Sequence, residues 1–165
     1  MAVILSALVL IVVGVVQVTV LPYLTGSGPN VDLVLLLVLA WSIIKGVRQG
    51  LLCGLLGGLI LDVVSAVPFG TTMAAMATVW LLGGVRNLPV LRGSAFAPLI
   101  AAGFATVVYD GLVMAVTFVF GWQWQWSDVL QDTILPSVLL NAIVMVPIYG
   151  LLYWLNKRSE PEIKW

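Results

Sequence analysis

Histidine is absent from this chain, cysteine occurs once, and Asp, Glu, Lys and Arg together make up only 8% of its 165 residues. Each shortage excludes something. With no histidine and a lone Cys53, neither an intramolecular disulfide nor a Cys/His metal site is expected, and no cofactor motif is present. Seven basic residues balance seven acidic ones, so no basic surface points to nucleic acid. So little charge also excludes an ordinary soluble domain, in which about a quarter of residues are charged. What fills the chain is apolar, at 62% of residues with a mean hydropathy of +1.16. The composition is that of an integral membrane protein. Nothing outside the apolar segments is long enough to fold separately, so residues 1–165 read as a single transmembrane domain. The start, "MAVILSALVLIVVGVVQVTVL", has no basic region and no small-residue cleavage site, and it reads as a retained first helix.

Six apolar segments follow one another, at about 2–24, 31–45, 48–66, 71–86, 94–121 and 133–156. A span needs about 20 residues to cross roughly 30 Å of hydrocarbon. The second and fourth segments are short, and the second would serve equally as a re-entrant piece. Charge placement argues for six spans. With both termini on one side, Lys45, Arg48, Arg86, Arg92, Lys157, Arg158 and Lys164 all fall on that side, and the opposite loops 25–30, 67–70 and 122–132 hold no basic residue. The positive-inside rule then puts both termini in the cytoplasm. The expected fold is an all-α membrane protein of six transmembrane helices.

One stretch stands out, "KGVRQGLLCGLLGGLILDVVSAVPFG", in which Gly46, Gly50, Gly54 and Gly58 recur every fourth residue and Asp62 takes the next step. Successive members of such a row shift by about 40° around a helix, so the row winds as a groove that Gly57 widens. In lipid, close backbone approach through small residues is what packs helices together. The row therefore serves helix packing, within the chain or with a partner. Asp62 continues it and should face protein, because a carboxylate facing lipid costs several kcal/mol.

Gln17, Asp110 and Asn141 should lie at a similar depth, all roughly 6 to 16 Å below the outer surface. Together with Asp62 they form an expected outer-leaflet polar cluster, either an interhelical hydrogen-bond network or a small cavity open outward. Ser137 with Asn141, and Thr106 with Asp110, share helix faces and would supply hydroxyl and amide donors. If the two acids act only through hydrogen bonds, an asparagine at either position should be tolerated. No arrangement of nucleophile and base accompanies them, so no catalytic residues are expected. The loop "GWQWQWSD" alternates Trp122, Trp124 and Trp126 with glutamines and reads as an interfacial anchor, where indole rings settle.

The residues "QVTVLPYL", "PNVDLVLLLVLA" and "GVRQGLLCGLLGGLILDVVSAVPFG" resemble the first half of the rod shape-determining protein MreD family. Gln17, Leu21, Pro22, Pro29, Asp32, Leu33, Gly46, Gly50, Gly54, Gly58, Leu59, Asp62, Pro68 and Gly70 are the matching positions. The resemblance covers roughly residues 14–86, and the second half agrees in length and helix count. It implies a non-enzymatic, multi-pass scaffold of the bacterial inner membrane that helps position peptidoglycan synthesis. Its implied partners are MreC, the complex of RodA with a class B penicillin-binding transpeptidase, and cytoskeletal MreB. It also implies a fold similar to the substrate-binding subunits of energy-coupling-factor vitamin transporters, which supplies the alternative function. Those subunits dock through an Ala-x-x-x-Ala face on helix 1, and here Ala2 and Ala7 have the wrong spacing.

Overall fold

A helix that is apolar all round is covered either by protein or by lipid, and the second apolar segment is covered by protein. It forms α3 (Leu33–Lys45), in which Val34, Leu35, Leu36, Val38, Leu39, Ala40, Ser42 and Ile43 are buried. The computed structural model of the chain describes residues 2–25, 30–65, 67–82, 96–123 and 129–159. Around α3 stand α1 (Ala2–Thr19), α4 (Val47–Val64), α5 (Thr71–Leu82), α6 (Ala97–Val119) and α7 (Leu135–Ser159), and all five touch it. A short α2 (Leu21–Thr25) follows α1, and a π-helical turn, Val129–Ile134, leads into α7. Each of the six apolar segments thus carries a helix, and the described residues hold no strand.

Helix length separates these elements. Ala97–Val119 and Val129–Arg158 are long and apolar enough to cross a membrane unaided. By contrast α3 has 13 residues and α5 has 12, and at 1.5 Å per residue each is only about 20 Å long. The connection between α3 and α4 is a single residue, Gly46, with φ of 96°. That left-handed backbone ends α3, where the Gly46 N–H bonds to Ser42 O at 3.0 Å, and starts α4 in a new direction.

The outer surface of the bundle is apolar. Leu8, Ile11, Val12 and Val15 on α1, Ile100, Phe104 and Val107 on α6, and Leu139, Ile143 and Val146 on α7 are all exposed. The core beneath them carries buried polar groups as well, among them Asp32, Asp62, Thr72, Thr106, Ser137 and Asn141. Their placement defines the site.

Candidate functional site

An α-helix begins with N–H groups that have no carbonyl one turn back. Water takes them at a protein surface, but within an apolar bundle side chains must do so. Among the described residues, most of the buried polar groups gather at two such helix starts, with Ser42 and Thr117 lying elsewhere.

The first is the start of α3. Gln17 on α1 accepts the Val34 N–H with its Oε1 at 2.9 Å and donates from Nε2 to Asp32 Oδ1 at 2.8 Å. Asp32 holds the N-cap position, yet its own side chain makes no capping bond, and Gln17 supplies the cap instead. From α7, Asn141 Oδ1 accepts the Asp32 N–H at 3.0 Å, and one turn earlier Ser137 Oγ accepts the Asn30 N–H at 3.0 Å. The other end of the Asn141 amide donates to Thr106 Oγ1 on α6 at 3.1 Å, and Thr106 passes its own proton to Ala102 O at 2.9 Å. Three helices therefore converge on one helix start. Asn141 and Thr106 are fully buried, so each bond is made away from water.

The second is the start of α5, and it depends on the glycine row. A Cβ at Gly58 would collide with the Met73 backbone, so only hydrogen there lets the first turn of α5 lie against α4. That approach delivers the N–H groups of α5 to Asp62, one turn further along α4. Oδ1 of Asp62 accepts the Thr72 N–H at 2.9 Å and also faces the Thr72 hydroxyl, and Oδ2 accepts the Met73 N–H at 3.1 Å. The Thr72 hydroxyl proton is shared with Gly58 O, 2.9 Å away. Glycine followed four residues later by aspartate is thus one device, a close approach plus a cap. It also explains why an acid belongs on the row. Gly70, at φ of 93°, turns the chain into α5.

The remaining members of the row face inward too. A Cβ at Gly50 would overlap Ser42 of α3, one at Gly57 would stand 2.8 Å from Val34 Cγ1, and one at Gly54 would stand 3.2 Å from Met76 O of α5. The groove is filled by α3 and α5 of the same chain and has no room for a partner helix. Gly46 corrects the expected row. It precedes α4, a Cβ there would meet nothing within 4 Å, and its positive φ makes it a turn residue rather than a packing residue.

The expected cluster of Gln17, Asp62, Asp110 and Asn141 is divided. Gln17 and Asn141 are joined through Asp32, and Asp62 serves α5 separately. Asp110 belongs to neither network, and among the described residues no donor reaches its carboxylate. Thr106, which shares a helix face with Asp110, bonds Asn141 instead. The groups remain neighbours, since Asp32, Asp62 and Asp110 all lie within electrostatic range of the buried Tyr109. Asparagine substitution also separates the acids. At Asp62 both oxygens accept donors, so an amide NH2 would face a donor on one side. Trp122 is exposed just beyond α6, while Trp124 and Trp126 lie outside the described residues. Two participants escaped the sequence reading of the site, Asp32 and Thr72. An acid directly before the apolar run, and a Thr-Thr pair directly after Pro-x-Gly, are helix-start signals that would have found them.

Chemically, these arrangements accept backbone protons and hold helices in register. Among the described residues no group of three metal-ligating side chains comes together. No curated protein and no solved structure matches the chain. A family model described as rod shape-determining protein MreD matches residues 1–158, from α1 to the last turn of α7. The match covers the glycine row, both capped helix starts and the second half of the bundle alike, and the chain belongs to the MreD family of rod shape-determining proteins.

Proposed function

We propose that this chain is a non-enzymatic scaffold of the bacterial cell-elongation machinery, held in the cytoplasmic membrane by six spans with both termini in the cytoplasm. Membership of a rod shape-determining family supports the role in cell shape. The observation that carries the scaffold reading is the use of the buried polar residues. Gln17, Asp32, Asp62, Thr72, Thr106 and Asn141 all hold one helix to another. A frame fixed in this way offers partners a constant outer surface.

The same capping supports six spans despite two short helices. A helix of about 20 Å need not reach the bilayer surface when its start is satisfied by protein side chains below it. The α3 and α5 helices then cross as inner members of the bundle, shielded by the others. At the basic end of α7 the Arg158 guanidinium lies 4.1 Å from the centre of the Trp154 ring, an arrangement suited to the cytoplasmic interface.

The partners in this reading are MreC and the complex of RodA with its class B transpeptidase, with MreB coupled directly or through them. Because α3 and α5 occupy the glycine groove, they dock on the outward faces of α1, α6 and α7. Purification in a mild detergent tests the proposal. Copurification of MreC or the transpeptidase, and loss of rod shape on depletion, are the expected results. Copurification of an energy-coupling ATPase with a retained vitamin would overturn it. Topology is tested separately in a Cys53→Ser background. Cysteines replacing Ser27 or Ser127 should react with an impermeant maleimide outside spheroplasts, and one replacing Ser159 should not.

A further inference from the structure

The five helices that touch α3 do not close a ring around it. α1 touches α4, α4 touches α5, α5 touches α6 and α6 touches α7, but among the described residues α7 and α1 make no contact. The ring is open at that one place. The surface of α3 carries the same opening, because its residues outside the buried set are Leu33, Leu37, Trp41, Ile44 and Lys45, all half-buried. Steps of four, four and three residues put Leu33, Leu37, Trp41 and Ile44 on one face of the helix. With helices on the other sides, that face is the floor of a groove whose walls are α1 and α7.

This groove has a definite length and one charged end. From Leu33 to Lys45 its floor is about 18 Å long at 1.5 Å per residue, close to the roughly 15 Å of hydrocarbon in a single leaflet. A transmembrane helix would need a floor nearly twice as long. The floor is apolar as far as Ile44, and Lys45 ends it. The α7 wall ends in bases too. Asn30 and Asp32 bond to Ser137 and Asn141, so α3 and α7 start side by side and run the same way. Lys45 lies 13 residues beyond Asp32, and Trp154 lies 13 beyond Asn141. Lys45 is therefore level with Trp154 and about one turn from Lys157 and Arg158 in depth. Both of those bases are exposed, and Arg158 covers the Trp154 ring. Among the described residues no acid stands at this end, since Asp32, Asp62, Asp110 and Asp132 all lie in the opposite half.

We propose that the groove between α1 and α7 seats an anionic phospholipid of the cytoplasmic leaflet, with its acyl chains along Leu37, Trp41 and Ile44 and its phosphate at Lys45, Lys157 and Arg158. Charge and length both select that occupant. The phosphate meets bases from two helices with no acid of the bundle to compete for them, and such charge-assisted contacts hold lipid head groups at a membrane surface. Its chains run from the basic end toward the middle of the bilayer, as the leaflet requires. A zwitterionic lipid brings its own cation and gains less. This occupant presupposes the spanning orientation proposed above. A nanodisc presents both leaflets alike, so retention there does not depend on which end faces the cytoplasm, and a reversed topology would leave the lipid result standing.

The test uses the full chain in nanodiscs holding equal amounts of phosphatidylglycerol and phosphatidylcholine. After release into mild detergent, native mass spectrometry counts the lipids retained. Phosphatidylglycerol should be retained about tenfold or more over phosphatidylcholine, since each basic residue at a membrane surface supplies about fivefold. Lys45→Gln should lower that preference about fivefold, and the double variant Lys157→Gln with Arg158→Gln should lower it at least as much. Leu37→Trp, which raises the floor and keeps every base, should reduce phosphatidylglycerol retention as well, so the test stands if one variant fails to fold. Arg92→Gln removes the same charge from the connection between α5 and α6 and should leave the preference unchanged. Equal retention of the two lipids by the wild type would overturn the proposal and leave the groove to a helix of another protein. So would an equal loss in Arg92→Gln, which would mark a diffuse attraction, or displacement of the lipid by millimolar inorganic phosphate, which would assign the bases to a soluble anion.

Discussion

Asp62 on α4 and Asp110 on α6 are both acids within apolar helices, and their surroundings differ in one controlling respect. Four residues before Asp62 stands Gly58, against which the backbone of α5 lies, and the N–H groups of that helix start reach the carboxylate. Next to Asp110 stands Gly111, where a Cβ would meet nothing within 4 Å, and among the described residues no N–H reaches the carboxylate. The first acid is satisfied by backbone, and the second lines a cavity between α6 and the π-helical turn. The difference teaches that the fate of an acid in a membrane helix is set by whether a neighbouring main chain can come close enough to use it. Glycine placement decides that approach.

The sharpest break of the comparison is alanine at each acid. Asp62→Ala leaves the Thr72 and Met73 N–H groups without their acceptor, at about 1–3 kcal/mol for each buried unsatisfied group. Asp110→Ala removes no internal hydrogen bond and should leave the melting temperature nearly unchanged. A thiol-reactive dye can follow melting in detergent, because the one cysteine, Cys53, is buried until the bundle opens. Equal melting of the two variants would dissolve the distinction. Asp62→Asn should fall between Asp62→Ala and wild type, since one oxygen still accepts.

Glycine substitution comes next in size. Gly58→Ala forces α5 away from α4 and should destabilise by about 1–3 kcal/mol, as overpacking does. Gly111→Ala, set in open space, should shift stability by no more than about 0.5 kcal/mol. Gly54→Ala should be milder than Gly58→Ala, because its Cβ would stand 3.2 Å from Met76 O and small shifts can absorb the contact.

The smallest effect sharpens the account of the α3 start. Gln17→Leu and Asn141→Leu each remove one cap, and both act on the same short segment around Asp32. Their effects should therefore not add, and a double-mutant cycle should return a coupling of about 0.5 kcal/mol or more. Strict additivity would mean that the α1 and α7 contacts to α3 are independent.

Much of this architecture is legible in the sequence. The six apolar runs each form a helix, and the spacing of Gly50, Gly54, Gly57 and Gly58 marks a packing face. Gly46 shared their spacing but not their place, because periodicity alone does not show that a helix begins one residue later. The polar residues were legible as a set and not as pairs. Gln17 and Asn141 are far apart along the chain, and their common partner Asp32 looks like an ordinary N-cap. The pairing of Asp62 with Thr72 needed the path of the turn at Gly70, which composition does not give. Thr106 and Asp110 share a face by count, but the position of α7 drew Thr106 to Asn141.

The cap on α3 also has a consequence for how the protein is made. Asn30 and Asp32 leave the ribosome early, while the Ser137 and Asn141 side chains that receive their N–H groups follow 107 and 109 residues later. Until then α3, at 13 residues, is short for a stable solitary insertion and carries an unfinished start. Before α7 is made, α1, α4, α5 and α6 are the neighbours available to cover α3. Biogenesis therefore closes from the far end of the chain. A nascent product stopped before residue 135 would expose that start and present quality-control proteases with an open bundle.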